Sequence, residues 1–340
     1  MFLLSAWCGV PKYSNDFLNI GVGAKYLSLG SAGNAIVNDV TSGYWNPSGL
    51  ANIHEKWSLG LMHSEYFAGI ANYDYLTAAR KIDDNSILGL SVIRLGVDGI
   101  QNTIDLIDKD GFINYDNITK FSVADYAFLT SYAKTSKIEG LQYGGNVKII
   151  YRNIGKFANA YGFGFDIGAQ YKNNKWRLGG TIRDITSTFN VWVFNENELE
   201  IEVLDSVYNQ APDNNIEITL PRLIIGIARD FKLRENFGIT PLLDLEITTD
   251  GRRNTMISSN LVSVDPRIGL EINYKQLIYI RGGLNNFQMV QDFDDEVLIF
   301  QPNFGLGVSF KKIKIDYALT DIGSYSVLYS HVFSLLFSLK

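Results

Sequence analysis

The residues nearest to a catalytic pattern are His63, Ser64 and Glu65, which follow one another in a stretch of alternating polarity. A serine, a histidine and a carboxylate held together can activate a nucleophile, as in hydrolases. Neighbouring residues of an extended strand point to opposite faces, however, so these three cannot form a triad among themselves. The other histidines, His54 and His331, are too scattered for a metal site of recognisable spacing. The sequence therefore predicts no catalytic residue, no enzyme activity and no metal.

Two other motifs have ordinary structural explanations. The glycines of GFGFDIG at 162–168 lack the spacing of a dinucleotide-binding loop, and no helix is predicted after them. The acidic run QDFDDE at 291–296 lacks the spaced ligands of a dedicated Ca²⁺ loop, so it is interpreted as solvated loop charge. The sequence therefore predicts no cofactor.

Charge and hydropathy exclude two broad classes of protein. The net charge of −6 comes without any basic stripe, which argues against binding to nucleic acid. No window reaches the roughly 18 uninterrupted apolar residues of a transmembrane helix. Any membrane crossing must therefore use strands that close into a barrel.

Long strands with two unlike faces recur from about residue 57 to the end of the chain. In YGFGFDIGAQY at 161–171, apolar side chains occupy one parity, and glycines, Asp166 and Gln170 occupy the other. About fourteen such strands can be counted. Eleven residues at about 3.3 Å each, tilted by about 45°, cross about 25 Å, which matches the apolar band of an outer-membrane barrel. The aromatic parity is therefore expected to face lipid.

The connections between these strands alternate in length. Short polar turns are predicted at 83–86, 135–140, 172–175, 233–236, 274–276 and 311–312, and long loops at 97–120, 190–220, 250–264 and 287–301. Outer-membrane barrels have short periplasmic turns and long outer loops. The sequence thus predicts an all-β protein, a fourteen-stranded antiparallel transmembrane β-barrel. We expect it in the bacterial outer membrane, in contact with outer-membrane lipid and with both termini on the periplasmic side.

The first fifty-five residues are expected to be distinct from the barrel at 56–340. Residues 1–10, which contain the single cysteine Cys8, are interpreted as a signal-peptide remnant, and 11–55 as a separate segment. Residues 17–51 show no sustained apolar parity, so they cannot face lipid and are expected in the lumen as a plug. Within YWNPSGLA, the plug motif comprises Trp45, Asn46, Pro47 and Gly49, with a turn at the Asn-Pro pair.

The stretch FLNIGVGAKYLSLGSAGNAIVNDVTSGYWNPSGLA at 17–51 resembles the N-terminal region of the PorV/PorQ family, within the wider FadL-like group of fourteen-stranded outer-membrane barrels. The resemblance continues through TFNVWVFNENELE at 188–200 and EITLPRLIIGIARDF at 217–231. Asn46 and Pro47 match the family's Asn-Pro motif, with Ser48 where alanine is commoner. The resemblance implies an N-terminal lumenal plug and a role in type IX secretion, in which the partners are secreted cargo signal domains, translocon components or cell-surface attachment proteins.

Two functional hypotheses follow. The favoured one is a non-enzymatic, partner-binding barrel of the type IX secretion pathway that uses its long loops. Its candidate contact residues combine aromatic and acidic side chains: Trp192, Phe194, Glu196, Glu198, Glu200, Phe293, Asp294 and Asp295. The alternative is a FadL-like channel for the uptake of hydrophobic small molecules, which needs an apolar pocket at the outer mouth. Acidic loops would repel a fatty-acid carboxylate, which favours the protein partner.

Overall fold

The structure is a computed structural model that describes residues 14–107, 111–199, 201–203, 206–208, 212, 214–292, 295–320 and 330–339. Residues 1–10, interpreted above as a signal-peptide remnant, lie outside the described residues. No helix in the described ranges is long and apolar enough to span a membrane.

Antiparallel strands dominate the described chain, and the fourteen that form the main sheet are labelled β1 to β14. They are β1 Trp57–Tyr66, β2 Ala71–Lys81, β3 Ser86–Asn102, β4 Thr119–Thr135, β5 Leu141–Ile154, β6 Ala158–Asn173, β7 Trp176–Arg183 continued by Thr188–Phe194, β8 Ile216–Thr219 continued by Arg222–Arg229 and Phe231–Arg234, β9 Phe237–Thr248, β10 Ser263–Tyr274, β11 Ile278–Asp292, β12 Asp295–Phe310, β13 Ile313–Thr320 and β14 Ser330–Leu339.

The sheet closes on itself. Trp57 of β1 lies opposite Arg80 of β2 on one side and opposite Leu339 of β14 on the other. Each further strand pairs with its neighbour in chain order, so the ring has no free edge. The prediction of a closed, fourteen-stranded antiparallel β-barrel is therefore confirmed.

Short helices and strands complete the described elements. Before β1 lie the 3-10 helices Asp16–Asn19 and Pro47–Asn52 and the α-helices Ala24–Leu27 and Ser42–Trp45. The loops carry the 3-10 helices Ile104–Leu106 and Tyr115–Asn117, the α-helix Glu196–Leu199, and the short strands Ile201–Val203, Ser206–Tyr208 and Ile257–Ser258.

Burial alternates along the strands, as their sequence parity predicts. In β6, Tyr161, Phe163 and Ile167 are exposed on the outer face, while Asp166 and Gln170 are buried on the inner face. Exposed apolar side chains of this kind recur around the ring. Such an exterior would be unstable in water but is suited to lipid, because each strand presents apolar side chains outward and polar ones inward.

The two ends of the barrel differ in their connections. One end has the tight turns at 82–85, 136–140, 174–175, 235–236, 275–277 and 311–312, close to the predicted positions, and is called the short-turn end. The opposite end carries the longer connections 103–118, 195–215 and 249–262, and is called the long-loop end. Strand β1 begins and β14 ends at the short-turn end.

The predicted loops at 97–120, 190–220 and 287–301 were wrong in extent, because β-bulges hide strand continuations. The pairing register shifts between Val97 and Ile100 in β3 and between Asn285 and Gln288 in β11. In β7, residues 184–187 interrupt the ladder, and both halves pair with β6. Each of these interruptions adds an odd number of residues to one strand and so reverses the parity of everything after it. The strands therefore continue beyond the point where the alternation ends.

Candidate functional site in the barrel interior

The Asn-Pro motif forms a helix cap. Asn46 has an extended backbone (φ −154°, ψ 107°), as expected before proline, and the helix Ser42–Trp45 ends there. Its side-chain oxygen accepts a hydrogen bond from the Ser48 N–H at 3.2 Å, and Pro47 occupies the first position of the next helix. Gly49 is required because a Cβ there would lie 2.3 Å from the carbonyl oxygen of Val37. The motif is thus a compact corner between two short helices.

A pair of buried asparagines ties this corner to the barrel wall. Nδ2 of Asn46 donates to Oδ1 of Asn34 at 2.9 Å and to the carbonyl of Ala169 in β6 at 3.2 Å. Asn34 in turn donates to the carbonyl of Ile224 in β8 at 2.9 Å and accepts from the Thr181 hydroxyl of β7 at 2.6 Å. Both amides are buried, so losing one partner would leave polar atoms unpaired.

Aromatic side chains hold together different parts of residues 14–53, the described part of the N-terminal segment, which is called the segment from here on. The indole N–H of Trp45 donates to the carbonyl of Val22 at 2.8 Å, and the hydroxyl of Tyr44 donates to the carbonyl of Leu18 at 2.5 Å. The guanidinium of Arg183 lies 4.6 Å from the centre of the Tyr44 ring and donates to its carbonyl at 3.0 Å. These contacts join residues 18–22 of the segment to residues 44–45, and they join the segment to β7.

The segment runs along the full height of the barrel. Ser14 donates to Glu217 at 3.3 Å and Asn15 donates to Thr219 at 2.9 Å, both near the long-loop end of β8. Ile53, at the other end of the segment, is followed closely by the start of β1 at the short-turn end. Residues 14–53 are almost all buried. The segment thus packs against the inner faces of the strands from one end to the other.

Glycines on the inner face leave room for the segment's backbone. A Cβ on Gly168 of β6 would lie 2.2 Å from Oδ1 of Asn46, and one on Gly283 of β11 would lie 2.1 Å from the backbone nitrogen of Gly30. Similar close approaches to the segment occur at Gly144, Gly179, Gly226, Gly269 and Gly305. Because these glycines lie on strands around the ring, the segment is enclosed on several sides.

We expect Gly168→Ala to weaken the seating of the segment, while Gly180→Ala in β7 should be nearly neutral. The added methyl at Gly168 meets Asn46, whereas a Cβ at Gly180 has nothing within 4 Å. Overpacking of this kind costs about 1–3 kcal/mol. The measurement is the temperature at which the folded band converts to the unfolded band in detergent gels. Equal conversion temperatures for the two variants would contradict this account of the glycine.

Charged side chains of the inner wall are paired with one another. Nζ of Lys148 lies 2.8 Å from Asp166 and 2.5 Å from Asp184, and all three side chains are buried. Arg222 lies 3.7 Å from Asp184 and 3.1 Å from Glu246, which extends the network from β5 across to β9. Buried charges persist only when they are paired in this way. The network therefore joins strands around the wall beside the segment.

A cavity of about 670 Å³ opens at the short-turn end. Charged residues of both signs line it, among them Lys25, Asp39, Arg177, Asp230 and Arg281. Arg177 pairs with Asp230 at 2.7 Å. This end of the interior is strongly polar, as a space open to water requires.

Asp39 holds the segment at the wall of this cavity. It accepts hydrogen bonds from the Tyr26 hydroxyl at 2.8 Å and from the Thr41 hydroxyl at 2.5 Å, and lies 3.9 Å from Lys25. Burial alone would raise the pKa of Asp39, but Lys25, Lys314 and the Thr41 hydrogen bonds together hold that pKa below its usual range. Its carboxylate is therefore ionised at neutral pH.

The interior at the long-loop end contains an aromatic cluster that includes Trp192, one of the predicted contact residues. Trp192 is only 8% exposed and faces inward from β7, since it belongs to a strand and not to a loop. Its ring stacks on Phe194 at 6.2 Å, and the guanidinium of Arg152 lies 5.0 Å from its centre. Phe121 and Phe157 make an edge-on pair at 5.1 Å nearby. Trp192 is therefore an inner-wall residue and not part of an exposed loop patch.

The remaining predicted loop residues are dispersed. Glu196 and Glu198 lie on the short helix Glu196–Leu199, where Glu198 pairs with Lys156. Asp295 begins β12, opposite Asp292 of β11, so the predicted loop at 287–301 is largely a hairpin. Glu200, Phe293 and Asp294 lie outside the described residues. The described candidates therefore lie on different elements: β7, the short helix after it, and β12.

Sequence reasoning missed the role of Asn34 and the specific partners within the Lys148 network. Asn34 lies in a run of small residues without periodicity, and nothing local marks it as the partner of Asn46. The inward parity of Lys148 and Asp166 is visible in the sequence, but their pairing depends on strand register. In the described residues, no three His, Cys, Asp or Glu side chains are grouped so that they could hold a metal.

Comparisons with known proteins find the fold but no family. No family model matches the chain, and no curated protein matches its sequence. Among solved structures, the CymD monoaromatic hydrocarbon channel is similar with a TM-score of 0.59 and 12% identity, covering 94% of this chain and 98% of that one. The Ralstonia pickettii toluene transporter TbuX gives a TM-score of 0.56 and 12% identity, covering 94% and 99%.

A third structure, a Pseudomonas aeruginosa FadL homologue, gives a TM-score of 0.52 and 10% identity, covering 94% of this chain and 98% of that one. These matches cover almost the whole of each chain, so the similarity concerns the barrel as a whole. At such low identity it establishes the FadL-like barrel fold and leaves the substrate open.

Proposed function

We propose that this protein is an outer-membrane barrel that admits small hydrophobic molecules, with its short-turn end in the periplasm. The observation that carries the proposal is the whole-length similarity of its fold to the monoaromatic hydrocarbon channel and the toluene transporter. This is the alternative of the sequence analysis, a FadL-like channel for the uptake of hydrophobic small molecules, called the conduit hypothesis from here on. It replaces the partner-binding hypothesis as the leading one. The inward charges are paired with one another, as a structural role in the wall of a channel requires.

The division of the interior supports this proposal. Aromatic residues cluster at the long-loop end around Trp192, where a hydrophobic solute would enter from outside. Charged residues line the cavity at the short-turn end, where the solute would leave into water. The aromatic cluster would hold a hydrophobic solute at the entrance, and the polar cavity would release it.

Residues 14–53 would be the plug of this conduit. They contact the inner faces of the strands through Asn34, Asn46 and the close-fitting glycines, so they occupy part of the lumen. Transport then requires part of the segment to move. The buried hydrogen bonds at Asn46 are the contacts that such a movement would have to break.

The expected result for Trp192→Ala is a several-fold slower uptake of labelled toluene, since the variant breaks up the aromatic cluster that Trp192 forms with Phe194 at the long-loop end. Uptake is measured in cells that lack other barrels of this fold. Trp176→Ala is the matched control, because Trp176 is 45% exposed and faces outward at the short-turn end. Equal uptake by both variants and the native protein would remove the entrance from the proposal.

Partner binding in type IX secretion remains the second candidate. Glu196, exposed on its short helix at the long-loop end, and the resemblance of residues 17–51 to the PorV/PorQ family favour it. Deleting the gene distinguishes the two candidates. Loss of export or surface attachment with unchanged toluene uptake would favour the secretion role, and the reverse result would favour the conduit.

A further inference from the structure

The outward apolar surface of the barrel is shorter along β1, β2 and β3 than along other strands. On β9 and β10, the outward residues are apolar along 237–247 and 264–274, eleven residues each, or about 25 Å of membrane thickness. On β1 and β3, the outward apolar runs cover only 57–61 and 88–92, or about 12 Å. Tilting the barrel shifts both boundaries together, so it cannot lengthen the short runs.

Charged side chains end these short runs on the outer face. Nδ1 of His63 lies 2.7 Å from Asp74, and Nη1 of Arg94 lies 3.4 Å from the other oxygen of Asp74. Glu65 lies 3.9 Å from Nε2 of His63 and is 66% exposed. Arg94 also contacts Tyr126. This cluster, called the outer charged cluster, consists of His63, Glu65, Asp74 and Arg94.

An apolar groove of about 740 Å³ lies next to the outer charged cluster, on the side of the short-turn end. Leu61 and Leu76 are exposed within it, and Phe333 and Ile315 form one side while Val92 forms the other. A groove of this size can hold lipid acyl chains, and it ends where the charged side chains begin. The shape is that of a binding site for a molecule with an apolar tail and a charged head.

We propose that this groove binds one membrane lipid whose headgroup carries both a phosphate and a primary amine, as in phosphatidylethanolamine. Arg94 would donate to the phosphate, and Glu65 and Asp74 would accept from the ammonium group. Two of the four side chains of the outer charged cluster, Glu65 and Asp74, are carboxylates that repel a purely anionic headgroup. A quaternary ammonium lacks the N–H donors that the carboxylates require.

The short apolar runs supply an independent reason for lipid binding at this place. A bilayer beside a short apolar wall must thin locally, or its headgroups must lie closer to the short-turn end. A lipid held with its head at the outer charged cluster meets this requirement, because the cluster begins where the apolar wall ends.

The test is native mass spectrometry of the full chain, exchanged into detergent with equal amounts of phosphatidylethanolamine, phosphatidylcholine and phosphatidylglycerol of identical acyl chains. We expect preferential retention of one phosphatidylethanolamine, reduced about five-fold in Glu65→Gln and in Arg94→Gln. Filling the groove with Leu76→Trp should abolish retention. The matched control is Leu243→Trp, which places the same side chain on the outer face of β9.

All these side chains face outward, and heat-dependent gel mobility checks that each variant is folded. Equal retention of the three lipids, or retention unchanged by Glu65→Gln, Arg94→Gln and Leu76→Trp, would overturn the proposal. A dimer that Leu76→Trp disrupts would show that a second copy of the chain covers the groove, and would likewise overturn it.

Discussion

A variant lacking residues 17–51 is expected to conduct ions across a planar bilayer on the order of ten-fold better than the intact chain. In the native protein, the segment contacts strands around the ring, with Asn46 against Ala169 of β6 and Gly30 against Gly283 of β11. Removing it leaves a ring of fourteen strands lined by polar and charged side chains. Slightly larger barrels with such interiors hold water-filled channels.

A single substitution within the segment tests whether its hydrogen bonds to the wall, and not only its presence in the lumen, keep the conductance low. Asn46→Ala removes the donor to Ala169 and the acceptor for Ser48, and leaves buried partners unpaired. We expect intermediate conductance with frequent opening events. Asn38→Ala is the control, because Asn38 is exposed in the same segment. If the truncated and intact proteins conduct equally, the segment does not close the lumen and the plug proposal fails.

The strands could be predicted because their evidence is local. An apolar residue at every second position is written in the sequence of β6 from Tyr161 to Tyr171, and a lipid-facing wall requires that pattern. The Asn46–Pro47 corner is local as well, since proline restricts the residue before it and the cap bond spans two residues. Both features follow from neighbours in the chain.

The errors share a physical cause. At 184–187, Asp184 and Ser187 have positive φ, and the bulge resets the parity, so Trp192 was assigned to a loop instead of the inner wall. Nothing in the sequence around Trp192 announces that change. The bulge in β11 likewise interrupts the alternation, so the sequence predicted a loop at 287–301 where the structure has a hairpin.

The interior could not be predicted residue by residue, because its contacts join distant parts of the chain. The Asn34 to Ile224 hydrogen bond spans 190 positions, and the Lys148 to Asp184 pair spans 36. These partners depend on the closure of the ring and on the register of each strand. Parity gave the side of the sheet on which Lys148 lies, and only the fold gave its partners.

Lys148→Met is expected to destabilise the barrel by about 3–5 kcal/mol, the second large effect. The substitution keeps a long side chain but removes the cation between Asp166 and Asp184, which are both buried. Two carboxylates then face each other beside the hydroxyl of Thr188 and the amide of Asn146, and these groups cannot neutralise the charge. Unfolding by urea in lipid vesicles, followed by intrinsic fluorescence, measures the loss.

The double variant Lys148→Met with Asp166→Asn tests the cause. It removes one negative charge along with the cation, while Asp184 keeps Arg222 at 3.7 Å, so we expect it to recover a large part of the stability. Lys156→Met is the control for losing a lysine, because Lys156 is 48% exposed and pairs with Glu198 near the surface, where an ion pair contributes at most about 1 kcal/mol. If the double variant is no more stable than Lys148→Met, the loss comes from packing of the lysine stem and not from unpaired buried charge.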